Sequence, residues 1–338
     1  MTTLLEKRYR AVLRLLPAYY RAEREEEMVE VFLWDVDRDT QDQSRPTLGE
    51  AASIAGLALR TRLGAAGAPR RYALLGSAVR QFALFAVLLQ AAGAVADRVL
   101  EVTWAATHGP AQWRMFLSGL TGPGGTAGTV AALAQWILPL LWTAGYFALL
   151  HDRRRLARAA VLLAALPTLW LPLAPLVSDA FPPDPAYATA AALLAWLTAL
   201  AVCAAHHRDA PPAALPVGTP GLAHLACCVV AGASLVLMPG TVDTVWAPSS
   251  CFVVGVLGWL LWRGRRRGAA DAGTAAALTA LGLLVFAARV AALYPWLAVP
   301  LPGALLAGLL VQTGAVLLLT AAPAVVGGRC LGARGGER

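Results

Sequence analysis

Charge is scarce in this chain. Asp, Glu, Lys and Arg make up 14% of it, where an average soluble domain carries about a quarter. From about residue 81 to 326 they are too sparse to coat a water-facing surface, which excludes an ordinary soluble globule. Lysine is almost missing: Lys7 stands alone, so the formal charge of +8 rests on arginine. These arginines gather in short connectors and form no basic stripe interleaved with aromatics, so no direct nucleic-acid partner is expected. Cysteine is limited to Cys203, Cys227, Cys228, Cys251 and Cys330, with no C-x-x-C or Cys/His ligand spacing; they read as small buried hydrophobes. No Walker A loop, H-E-x-x-H, G-x-S-x-G or G-x-G-x-x-G occurs, so neither enzymatic machinery nor a cofactor is expected. The charged segment Met1 to Arg10 is not followed by an h-region and a small-residue cleavage site, so no signal peptide is expected.

What is abundant is apolar length. Hydrophobic residues make up 58% of the chain and the mean hydropathy is +0.60. Candidate spans fall at 81–97, 128–150, 158–177, 186–206, 220–239, 245–262, 273–294 and 301–325, each near the ~20 residues that cross a ~30 Å hydrocarbon layer. Trp246, Trp262, Tyr294 and Trp296 sit at expected span ends, as in an interfacial belt. The expectation is an all-α polytopic transmembrane helical bundle of about eight spans, 81–326, with a membrane-surface junction at 67–80 and a tail at 327–338. His151-Asp152-Arg153-Arg154-Arg155 and Arg263-Gly264-Arg265-Arg266-Arg267 are strongly basic, whereas 178–185, 239–245 and 295–300 lack Lys and Arg. By the positive-inside rule the basic connectors and both termini are cytoplasmic. The connector 98–127 carries Trp113 to Leu117, a segment expected to lie flat at the outer interface. The Ala, Leu and Arg bias suggests a high-GC genome, and the cell inner membrane is the expected location.

Residues 1–66 are different. They hold most of the acidic residues, and Leu5, Tyr9, Val12, Leu13 and Leu16 follow helical spacing up to Pro17. In a second helix Glu25-Glu26-Glu27 precedes Met28, Val29, Phe32, Leu33 and Val36, which places acid towards the helix start and an apolar face after it. After a polar linker at 37–45, Thr47-Leu48-Gly49-Glu50 has the form of a capping box opening a third helix, Leu48 to about Leu63. A cytoplasmic three-helix domain is expected.

Ionisable groups inside spans point to function by default. Arg289 is the clearest. One reading makes it an interfacial arginine facing the bundle and paired with an outer carboxylate, with Asp97, Asp179, Asp184 and Asp243 as candidates; the other makes it a grip for an anionic ligand. Cys203, His151, His206, His207 and His224 raise a metal cluster, but no pair has i, i+4 ligand geometry with a partner carboxylate, and no metal is expected. Gln90, Gln135 and Gln312 read as a polar seam or as interhelical glue. Pro139, Pro167, Pro172 and Pro175 interrupt the second and third spans, as kinks or as openings onto a cavity.

Arg8-Tyr9-Arg10, Leu15-Leu16-Pro17-Ala18-Tyr19-Tyr20-Arg21 and Glu25-Glu26-Glu27-Met28 resemble the basic-helix, Leu-Pro, Glu-Glu-Met pattern of actinobacterial permease-prefix or HAAS-like domains. That resemblance implies a helical module ahead of a multi-pass region, and a cytosolic protein partner such as a PadR-type regulator. Tyr19, Tyr20, Glu25, Glu26, Glu27 and Met28 are then the partner-docking candidates. The function expected is a non-enzymatic signalling or regulatory membrane protein; the alternative is a permease for a small or lipophilic solute.

Overall fold

The computed structural model describes residues 4–34, 45–64, 67–122, 125–170, 173, 185–207, 210–237, 245–265, 272–294 and 303–333. Among these the fold is all-α, with no strand. Three short helices come first: α1 (Leu4–Leu13), α2 (Ala18–Trp34) and α3 (Leu48–Arg62). Leu5, Tyr9, Leu13 and Leu16 are all buried, and Tyr9, Leu13 and Leu16 close on Val29, Ile54 and Ala58 as one small core. The helical spacing of α1 thus becomes a packed face. At the start of α3, Thr47 Oγ1 accepts from the Glu50 amide at 3.2 Å while Glu50 accepts from the Thr47 amide at 2.6 Å, satisfying two orphan donors reciprocally. The linker expected at 37–45 falls, apart from Arg45, outside the described residues.

α4 (Arg70–Thr107) is a single helix of 38 residues, about 57 Å long at 1.5 Å per residue. It absorbs most of the junction expected at 67–80 and the first part of the connector expected at 98–127. The physical reason is the absence of a breaker: Pro69 permits the start, and nothing stops the helix until Gly109, whose φ of 91° suits only glycine, followed by Pro110 at the first turn of α5 (Pro110–Thr121). There follow α6 (Gly125–Ile137), a 3-10 turn at Leu138–Leu140 around Pro139, α7 (Leu141–Leu150), α8 (Arg154–Ala165), α9 (Pro185–Ala205), α10 (Pro220–Leu237), α11 (Trp246–Arg265), α12 (Ala272–Leu293) and α13 (Gly303–Ala333).

Among the described residues six stretches are long and apolar enough to cross a membrane: Arg70–Thr107, Gly125–Leu150, Ala188–Ala205, Pro220–Leu237, Ala272–Leu293 and Leu305–Cys330. This corrects the expected eight. The span expected at 158–177 is not among them: α8 ends at Ala165, where Pro167 opens a 3-10 segment, Leu166–Leu169, and residues 171, 172 and 174–177 lie outside the described residues. The span expected at 245–262 is a helix, α11, but Pro248, Ser249, Ser250 and the terminal Arg263 and Arg265 dilute its apolar character.

α4 is the mast. On one side Ala83, Leu84, Val87, Leu88 and Ala91 pack with Trp142, Tyr146, Val161 and Val202 of α7, α8 and α9. On another, Ala86 joins Phe252, Val256, Leu278, Val285 and Val316 of α11, α12 and α13. Small residues let the backbones approach, as bundles in lipid require. A Cβ on Gly145 would stand 2.8 Å from Val161 Cγ1, and one on Gly282 would stand 2.6 Å from Phe252 Cζ. Gly273 at the start of α12 lies against Ser77 near the start of α4, and Gly327 late in α13 lies against Ala275. The bundle therefore has an arginine-rich end, carrying Arg70, Arg153–Arg155, Arg263 and Arg329, and an opposite end carrying Trp246 and Arg289.

Candidate functional site

Two places gather chemistry: the N-terminal three-helix domain and a polar centre inside the bundle. In the domain, the docking candidates are parcelled out by internal contacts. Arg10 donates to both carboxylate oxygens of Glu26, at 2.8 and 2.7 Å, and to Glu6 at 3.0 Å, and lies 3.5 Å from Glu25. This bidentate bond holds the Glu26 carboxyl below its ordinary value and raises Arg10. Glu25 and Glu26 thus serve to clamp α2 on α1. Tyr19 donates to the Thr61 carbonyl at 2.9 Å and its ring lies 5.2 Å from that of Tyr72 on α4. Burial pushes the Tyr19 phenol up, with help from Tyr72, Tyr20 and Glu23. Tyr19 therefore ties the domain to the bundle.

The remaining candidates, Tyr20, Glu27 and Met28, line an open groove of about 640 Å³ with Val31, Phe32 and Trp34. Its floor is rigid: the Phe32 ring stacks on Tyr9 at 3.9 Å and 3°, and desolvation of Tyr9, with Glu50 nearby, raises that phenol. Its lip is apolar and wet, with Val31 65% and Trp34 86% exposed. A paired Arg24 and Glu27, 3.4 Å apart, form part of the rim. Val31, Trp34 and Leu57 were not singled out from sequence, and the signal was available: an apolar run outlasting what one small core can bury.

Inside the bundle, Arg289 is fully buried on α12, its guanidinium carbon 5.0 Å from the centre of the Trp246 ring. Trp246 opens α11. Its carbonyl accepts from Gln312 Nε2 at 3.1 Å, and the same amide nitrogen donates to Ser250 Oγ at 2.9 Å. Arg289, Trp246, Ser250 and Gln312 thus join α11, α12 and α13 around one polar centre, and Gln312 serves as interhelical glue. Arg289 does not meet Asp97. Asp97 is exposed on α4 and makes no ion pair among the described residues. The reason is rotation: Ala96 packs against Ala231, Ala247 and Cys251, and one residue further turns the side chain by about 100°. Asp243, Asp179 and Asp184 lie outside the described residues. Trp246 was read from sequence only as an interfacial aromatic, because no spacing pairs it with a residue 43 positions away.

The histidines are dispersed. His224 lies on Tyr146, 5.9 Å between ring centres, and beside Cys228 at 3.8 Å, whereas His206 and His207 are buried at the end of α9. No group of three His, Cys, Asp or Glu able to hold a metal occurs among the described residues. An apolar cavity of about 340 Å³ lies between α4, α10 and α11, walled by Phe85, Leu89, Leu222, Cys227, Phe252 and Trp259. Comparison with known proteins returns no match to a protein-family model, to a curated protein or to a solved structure.

Proposed function

We propose that this chain is a non-enzymatic regulatory protein of the inner membrane, with both termini in the cytoplasm, whose N-terminal three-helix domain docks a cytosolic protein partner. The observation that carries this reading is the groove bordered by Val31, Phe32 and Trp34. A tryptophan 86% exposed beside a valine 65% exposed, over a stacked aromatic floor, is the composition of an interface anchor. The resemblance of residues 8–28 to permease-prefix modules makes a PadR-type regulator the partner to try first. The test uses full-length protein in nanodiscs and the purified regulator. Trp34→Ala with Val31→Ser should weaken binding at least tenfold, as loss of a central aromatic anchor does. Unchanged affinity, or no binding by the wild type to any regulator encoded beside it, defeats the reading.

A second reading is carriage of a small or lipophilic solute, favoured by the apolar cavity between α4, α10 and α11. Substrate-dependent flux in proteoliposomes that is blocked by filling the cavity with Ala226→Trp would support it, and leak-free vesicles under every solute gradient would remove it.

A further inference from the structure

The turn between α7 and α8 carries more positive charge than the fold uses. Arg154 and Arg158 have structural work: Arg154 donates to the carbonyls of His207 and Ala210, the latter at 2.7 Å, and Arg158 donates to the His206 carbonyl at 2.7 Å. These bonds tie the start of α8 to the chain just past the end of α9 at Ala205. Arg154 also pairs with Asp152 at 2.7 Å. Arg153 and Arg155 have no such task. Both are exposed, and neither side chain donates a hydrogen bond or forms an ion pair among the described residues.

The four arginines wall a cleft of about 840 Å³ in which Asp152 is the single acid. The N-cap of α8 is Arg153, which makes no side-chain cap bond, and the Arg154 amide donates to the Asp152 carbonyl at 3.0 Å; the next first-turn amides are left for an outside acceptor. Behind the cleft His206 is 3% exposed and lies in the field of Arg80, Arg154 and Arg158, with neither ring nitrogen hydrogen-bonded. From Leu156, which itself lines the cleft, to just past the end of α8 the chain presents Leu156, Leu163 and Leu166, 52%, 44% and 45% exposed. Their spacing of seven and three places them on one helix face. A basic cleft therefore opens onto an apolar stripe along the same helix, the shape of an amphiphile and not of a free ion.

We propose that the α7–α8 turn and the leucine face of α8 form a binding site for a phospholipid with an anionic headgroup, the phosphate held by Arg153 and Arg155 and an acyl chain lying along Leu156, Leu163 and Leu166. Basic pockets between spans take such headgroups, and each arginine near a membrane surface adds a roughly equal increment of attraction. Arg154 and Arg158 complete the positive wall while holding α9 in place.

The full chain in mixed micelles, with phosphatidylglycerol or phosphatidylcholine offered and bound lipid counted by native mass spectrometry, tests the site. Phosphatidylglycerol should be retained over phosphatidylcholine, and Arg153→Gln with Arg155→Gln should lower that retention roughly ten- to thirty-fold. Arg263→Gln with Arg265→Gln removes equal charge at the same end of the bundle and should leave retention unchanged. Equal loss in both double variants means diffuse attraction and overturns the site. Inorganic phosphate that displaces the lipid at comparable concentration makes the ligand a free anion and overturns the lipid assignment. A photoreactive phosphatidylglycerol on the unaltered protein needs no variant: labelling of 153–166 supports the proposal, and labelling confined to other helices refutes it.

Discussion

Replacing Arg289 and Trp246 singly and together by leucine isolates the contact at the centre of the bundle. The guanidinium is fully buried and its carbon stands 5.0 Å from the indole centre. A cation held over a tryptophan face is worth about 2 kcal/mol or more once desolvated, against ~0.5–1 kcal/mol at a wet surface. Arg289→Leu alone mixes terms of opposite sign. It loses that attraction and the remaining polar contacts of the guanidinium, but it relieves the cost of an arginine within the bilayer, on the order of 2.5–3.5 kcal/mol at a helix centre and less near an interface. A net value near zero is therefore compatible with a strong contact, and only the cycle separates them. Reversible unfolding of the full chain in mixed micelles, followed by helicity, should give a coupling of about 2 kcal/mol between the two sites. Arg289→Lys should keep less than half of it, because a compact ammonium lacks the planar stack. Additive single effects, with coupling under about 0.5 kcal/mol, would refute the contact as an energetic link between α11 and α12.

Gly282→Ala should destabilise the bundle by about 1–3 kcal/mol, since the added Cβ meets Thr320 Oγ1 and stands 2.6 Å from Phe252 Cζ; Gly314→Ala, with nothing within 4 Å, should not, and equal midpoints in the same unfolding assay would contradict the packing. Glu26 is held below its ordinary value of 4.5 by Arg10, so its contribution to the N-terminal domain is fully present above about pH 4.5 and lost as pH falls through the lowered value. Glu26→Gln should flatten that acid limb in a circular-dichroism titration of the domain, and an unchanged limb would rule the pair out as its cause. Reporter fusions at 154 and 266 should read cytoplasm and one at 298 the exterior; a cytoplasmic signal at 298 overturns the proposed orientation.

What was legible in the sequence was local. The Thr47–Glu50 capping box spans four residues and needs no partner beyond them, and the α1 face of Leu5, Tyr9 and Leu13, continued by Leu16, follows from helical geometry alone. The inward position of Arg289 was legible too, because lipid penalises an exposed guanidinium. The span count was not, since residues 158–177 and 245–262 pass as apolar runs, and only the end of α8 at Ala165 and the polar residues of α11 set them apart from the six spans among the described residues. Nor were the partners. Asp97 shares α4 with the core yet points off it, and the Trp246 ring lies over Arg289. In water an apolar stripe names the buried face of a helix. In a bilayer a leucine gains nothing by turning inward, so sequence determined that the helices exist and which charged ends they share, while small-residue contacts such as Gly273 on Ser77 and Gly282 on Thr320 decided how each is rotated and whom it meets.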